Sequence, residues 1–192
     1  MTRRGAAIVT ALFLLFLALP ELVLSGADLG IWGKADLRLT AYEWGAFWPG
    51  LLADWTPLFS GQAWVMFLTY GLIHEGPAHL AVNGAGLVAF MPGLLRRHGL
   101  IRTAVVYGLG QIAGALVFTM LAPAATATVG ASGAIFALAG ATMAAGEGRW
   151  STPNILIVLC VVLLADALGG LAWQVHLGGC AAGLLLGAAL RR

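Results

Sequence analysis

Four residues in this chain have the types and spacing needed to hydrolyse an amide: Ser132, His176, His79 and Asn83. Ser132 stands in Gly130-Ala131-Ser132-Gly133, where flanking glycines permit a tight turn and the close approach of another segment. A serine is a weak nucleophile until a neighbouring base takes its proton, and histidine is the usual base near neutral pH. His176 opens His176-Leu177-Gly178-Gly179, with Gly183 and Gly187 following at four-residue steps. His79 and Asn83 are i and i+4, so on a helix they share a face and can both donate toward a developing oxyanion. If a helix starts at Ser132, its free N–H groups and positive dipole end add to that stabilisation. Taken singly, each feature also fits plain packing: a small-residue contact, an interfacial histidine, a buried asparagine satisfied by a neighbour.

The elements that must hold these residues are membrane helices. The 192 residues are 60% hydrophobic and only 9% charged, whereas a soluble domain carries about a quarter charged residues. So few charges cannot cover a water-soluble surface, and a bilayer is the natural solvent. A net charge of +2 argues against a nucleic-acid partner. The 27 glycines suit helices whose backbones approach closely in lipid. A helix needs about 20 apolar residues to cross the hydrocarbon core. Six stretches qualify, at about 6–24, 77–95, 101–121, 130–146, 153–168 and 171–190. The sequence therefore predicts an all-α, polytopic fold of six transmembrane helices in one domain, 1–192. Arg3 and Arg4 before the first apolar run leave two readings of it, a retained helix or a cleaved leader.

With the N-terminus inside, Arg96, Arg97, Arg102 and Arg149 fall in inner loops and Arg3, Arg4, Arg191 and Arg192 in inner tails. That puts eight of the ten basic residues on one side, a strong positive-inside pattern. Lys34 and Arg38 fall outside, in a long segment, 25–76, rich in tryptophan (Trp32, Trp44, Trp48, Trp55, Trp64). Its composition predicts short amphipathic helices lying against the outer leaflet. The apolar run 63–73 is too short for a further span. In this topology the second, fourth and sixth helices all start at the outer face. His79 with Asn83, Ser132 and His176 then lie within the first turns of three helices, at similar depth. The glycine face of the sixth helix can pack on a stripe of Gly133, Ala137, Gly140 and Ala141, bringing His176 to Ser132.

Other polar residues admit weaker readings. His74 precedes the second helix, on a water path or at the interface. His74 and His79 are i and i+5 with Pro77 between, not the i and i+4 of a zinc helix, so no metal is expected. Asp166 is a helix cap, an inter-helix partner or a third catalytic group. Cys160 and Cys180 lie in apolar runs and read as packing residues.

Together, H-x4-H-x3-N from His74 to Asn83, G-x-S-G from Gly130 to Gly133, and His176 with Gly179 and Gly183 resemble the rhomboid family of intramembrane serine proteases. The resemblance implies a Ser132–His176 dyad and an oxyanion hole from the Ser132 N–H, His79 and Asn83, with Gly130, Gly133, Gly179, Gly183 and His74 in support. It implies no metal or cofactor, transmembrane protein substrates, an embedded first outer loop, and a mobile fifth helix as the gate. The minimal bacterial form has six helices, which implies an inner-membrane protein with both termini cytoplasmic. The family often has Trp-Arg in the first loop. Here Trp64 is followed by Val65, a departure that bears on how the loop is anchored but not on the dyad. The competing classes are a non-catalytic rhomboid-like protein that binds transmembrane helices, and a small transporter. The transporter is disfavoured because the spans carry few charges and no inverted repeat is evident.

Overall fold

A computed structural model describes residues 1–146 and 172–190. The expected fifth helix, 153–168, with Asp166 and Cys160, lies outside the described residues. The described chain is helical, and three of its helices are long and apolar enough to cross a membrane: α1 (Arg3–Asp28), α4 (Pro77–Leu121) and α6 (Trp173–Leu190). Between α1 and α4 run two short helices, α2 (Leu37–Gly45) and α3 (Gln62–Thr69), with two 3-10 turns, Pro49–Leu52 and Tyr70–Leu72. α5 (Ser132–Ala144) lies between α4 and α6 in sequence.

α1 starts at Thr2, whose hydroxyl accepts from the Gly5 N–H. It is longer than the expected 6–24. Ala6, Thr10, Leu17, Glu21 and Leu24 form its buried face, and Ala6 and Leu17 join the main core. Ile8, Leu12, Leu15, Phe16, Leu19 and Leu22 are about half exposed on the other side. An exposed apolar face of that extent belongs in lipid.

α4 spans 45 residues, and the sequence predicts two helices with a short loop there. The break is a single residue: Gly99 sits at φ 79° and ψ 177°, left-handed geometry that glycine tolerates. The halves 77–98 and 100–121 fold back on each other. Asn83 and Gln111 would stand roughly 40 Å apart on an unbroken helix, yet both reach Gly130. The α-amino group of Met1 donates to the Arg96 carbonyl oxygen. The start of α1 and the α4 break, with Arg3, Arg4, Arg96 and Arg97, therefore share one end of the molecule.

α5 is central, with Gly133, Ala134, Ile135 and all of 137–142 buried. It is shorter than the expected 130–146. Gly130 at φ +114° keeps the turn outside the helix, and Gly146 at φ +67° follows its end. Thirteen residues span roughly 20 Å, less than the ~30 Å of a hydrocarbon core. Ser132 thus begins below one membrane boundary whenever Ala144 reaches the other. α6 packs on α5 backbone to backbone. A Cβ on Gly179 would collide with the Gly133 carbonyl oxygen, one on Gly183 with that of Ala137, and one on Gly187 with that of Ala141.

The segment 25–76 has a small core of its own, with Phe47, Met66 and Tyr70 buried against Ala115, Phe118 and Val175. Phe47 and Thr128 exchange backbone hydrogen bonds at 3.0 Å, and the Gly50 N–H donates to the Ala124 carbonyl. The outer loop is thereby tied to the strand-like approach to Ser132. Trp44, Trp55 and Trp64 stay exposed, which suits an interfacial position.

Candidate active site

Ser132 is the first residue of α5 and half-buried. The turn before it is held from two sides. The Gly130 N–H donates to the Tyr70 carbonyl at 2.8 Å. Gln111 spans the turn: its Nε2 donates to the Gly130 carbonyl at 3.0 Å, and its Oε1 accepts from the Ala134 N–H at 3.0 Å. Tyr70 in turn donates its hydroxyl to the Gln111 carbonyl at 2.7 Å. One amide side chain therefore fixes the backbone on both sides of Ser132. It also satisfies an N–H of the first helical turn, which has no intrahelical partner.

His79 and Asn83 face this turn from the first half of α4. A Cβ on Gly130 would lie 2.7 Å from His79 Cε1, 2.9 Å from its Nε2 and 3.7 Å from Asn83 Nδ2. Only glycine lets the two side chains come so close. The Glu75 N–H donates to His79 Nδ1 at 3.3 Å. An Nδ1 that accepts leaves the proton of neutral imidazole on Nε2, the nitrogen turned to Gly130. Asn83 is buried, and its Nδ2 donates to the His79 carbonyl at 3.1 Å. That bond uses one of its two amide protons.

His176 lies in the first turn of α6 and stacks on Phe136, with ring centroids 4.2 Å apart and planes parallel. Phe136 is i+4 from Ser132, so the imidazole rests on the α5 face that carries Ser132. The structure thus gathers Gly130, Ser132, Gly133, His79, Asn83, His176 and Gly179 around the start of α5, while Gly183 makes its contact one turn deeper.

His74 is fully buried, and its ring packs edge-on against His79 with centroids 5.3 Å apart. Burial pushes the His74 imidazole down to about 4, so it stays neutral near pH 7. Its carbonyl accepts from Arg38 Nη1 at 2.7 Å. Arg38 also makes a two-pronged pair with Glu21 of α1, at 2.8 and 2.9 Å, and its Nε donates to Asp28 at 2.7 Å. The hydrogen bonds to Glu21 raise the guanidinium above the usual arginine value. The outer loop is anchored here, far in sequence from Trp64.

Sequence reasoning missed Gln111, Tyr70, Phe136 and the Glu21–Arg38 pair. Two carried a usable signal: Gln111 and Glu21 are isolated polar residues within apolar runs, costly in lipid unless paired.

A family model for the Rhomboid domain matches residues 60–192. The chain belongs to the rhomboid family. This rhomboid chain is 27% identical over 142 residues to RHOMBOID-like protein 6, mitochondrial, of Arabidopsis thaliana, covering 70% of the chain and 46% of that protein. It is 29% identical over 160 residues to Rhomboid-related protein 3 of Homo sapiens, covering 71% of the chain and 38% of that protein. It is 30% identical over 128 residues to RHOMBOID-like protein 4 of Arabidopsis thaliana, covering 62% and 32%. The rhomboid chain spans less than half the length of these curated relatives. The matched region contains the residues gathered at Ser132, while Glu21 and Arg38 precede it.

Proposed function

We propose that this rhomboid is a serine endopeptidase that cuts membrane-protein substrates in or near their transmembrane segments. The observation that supports the reading is the stacking of His176 on Phe136, one helical turn along α5 from Ser132, with His79 presenting Nε2 to the turn before Ser132. In this reading Ser132 Oγ attacks the scissile carbonyl carbon while His176 takes its proton. The oxyanion that forms accepts from the Ser132 N–H, His79 Nε2 and Asn83 Nδ2. Collapse breaks the C–N bond, and His176 returns the proton to the departing amine. Water then attacks the ester on Ser132, with His176 again as base, and releases the acid.

Peptide bonds in a helix are shielded by their own hydrogen bonds, so the substrate must unwind at the cut. Small or helix-breaking residues such as glycine make that cheaper. In this reading the arginines at the α4 break lie at the cytoplasmic end, and Met1, bonded to the Arg96 carbonyl, lies with them. Ser132 starts α5 at the level of Asn83, roughly 20 Å along α4 from Arg96. The cut would therefore fall toward the outer face.

The test is turnover of a transmembrane model substrate by purified protein in detergent or liposomes. Ser132→Ala and His176→Ala should each abolish cleavage, and the double variant should be no worse than either, as for residues acting as a unit. Wild-type protein should react with a fluorophosphonate, and Ser132→Ala should not. A wild type that neither cleaves nor labels would leave the non-catalytic helix-binding reading in its place.

A further inference from the structure

We propose that Arg38 is a positioning residue for the oxyanion side of this site, acting through His74 on His79. The proposal rests on the proteolytic reading above. Arg38 joins three parts of the chain at one guanidinium. It takes Glu21 of α1 two-pronged, Asp28 at the end of α1 through Nε, and the His74 carbonyl through Nη1. Ser25 donates to Glu21 at 2.6 Å and completes the carboxylate's shell. The Glu21 side chain is only 2% exposed and that of Arg38 19%. A buried ion pair returns little net stability, because desolvation offsets its attraction. What it does supply is geometry. The planar fork of arginine can hold a carboxylate and a carbonyl at once, and a lysine ammonium cannot reproduce that arrangement.

The constraint passes to the reacting centre through contacts already described. The clamped His74 carbonyl fixes the backbone just before α4. The buried His74 ring lies edge-on to His79. The Glu75 N–H, next along the chain, holds His79 Nδ1 and so sets which nitrogen carries the proton. His79 in turn touches Gly130. Residues 74–79 thus form one unit between the Arg38 clamp and the Ser132 turn. Release of the clamp frees the end of that unit opposite Ser132. A displacement of about 1 Å at a reacting centre can cost on the order of 100-fold in rate.

The experiment is a double-mutant cycle between Arg38 and His79, read as kcat and KM on the transmembrane substrate. Arg38→Met should lower kcat by about 10- to 100-fold with KM within about twofold. In a His79→Ala background the same substitution should cost less than about threefold, because its target is already gone. Arg38→Lys should fall between wild type and Arg38→Met. If Arg38→Met does not fold, the cycle is run with Arg38→Lys. Equal losses in both backgrounds, or a rise in KM alone, would overturn the positioning role while leaving the protease reading intact. A wild type without Ser132-dependent cleavage would overturn that reading and the positioning role with it.

Discussion

His176 lies flat on Phe136, their parallel rings 4.2 Å apart, one helical turn along α5 from Ser132. The imidazole is thereby held by a ring on the same helix face as its proposed partner. Aromatic stacking adds about 0.5–1.5 kcal/mol beyond burial, enough to bias one orientation of the base. Phe136→Leu should lower kcat by about tenfold, the rate equivalent of roughly 1.4 kcal/mol. Phe136→Tyr, which keeps the ring, should stay near wild type. Unchanged turnover in Phe136→Leu would show that the stack does not orient the base.

Gly179 sets how closely α6 approaches α5, since any Cβ there meets the Gly133 carbonyl. Gly179→Ala should move His176 away from Ser132 and reduce activity by more than about 100-fold. Gly93 offers the control, because a Cβ there meets nothing within 4 Å. Gly93→Ala should leave turnover unchanged and add up to about 1 kcal/mol of stability. Similar losses from both substitutions would rule out a specific role for the Gly179 contact.

Gln111 bonds the backbone on both sides of Ser132, and Gln111→Leu removes both bonds at similar volume. The Gly130 carbonyl and Ala134 N–H would be left buried and unmatched, at about 1–3 kcal/mol each. Tm should fall, and kcat should fall with it as the turn loses its brace. A Gln111→Leu protein with wild-type Tm would show that other groups satisfy the turn.

His74 predicts a pH dependence of stability. Its imidazole is held down to about 4 when folded, against an ordinary value of 6.5. Between these values the unfolded chain binds a proton that the native protein refuses, so stability rises with pH across that window. Acidifying from about pH 6.5 toward 4 should therefore destabilise the protein through this residue. Above 6.5 both states are neutral and the contribution is flat. His74→Asn should show a shallower fall in Tm over the same range, and an identical slope would assign the effect to other groups.

Much of the site was legible in the chain itself because its signals are local. The i and i+4 spacing puts His79 and Asn83 on one face, and the glycine steps after His176 mark the surface that meets α5. The clustered arginines mark the ends of spans that only lipid can solvate. Each of these follows from helix geometry and transfer energetics over a few turns. Helix ends were less legible. The α4 break narrows to Gly99, and α5 starts two residues late, because single glycines take left-handed angles that composition does not announce. What only the tertiary structure decided is which distant polar groups meet. Arg38 finds the His74 carbonyl 36 positions away, and Tyr70 finds the Gln111 carbonyl 41 positions away. No periodicity encodes such pairs. In an apolar surround most buried polar groups find a partner, and the fold alone determines which one lies within reach.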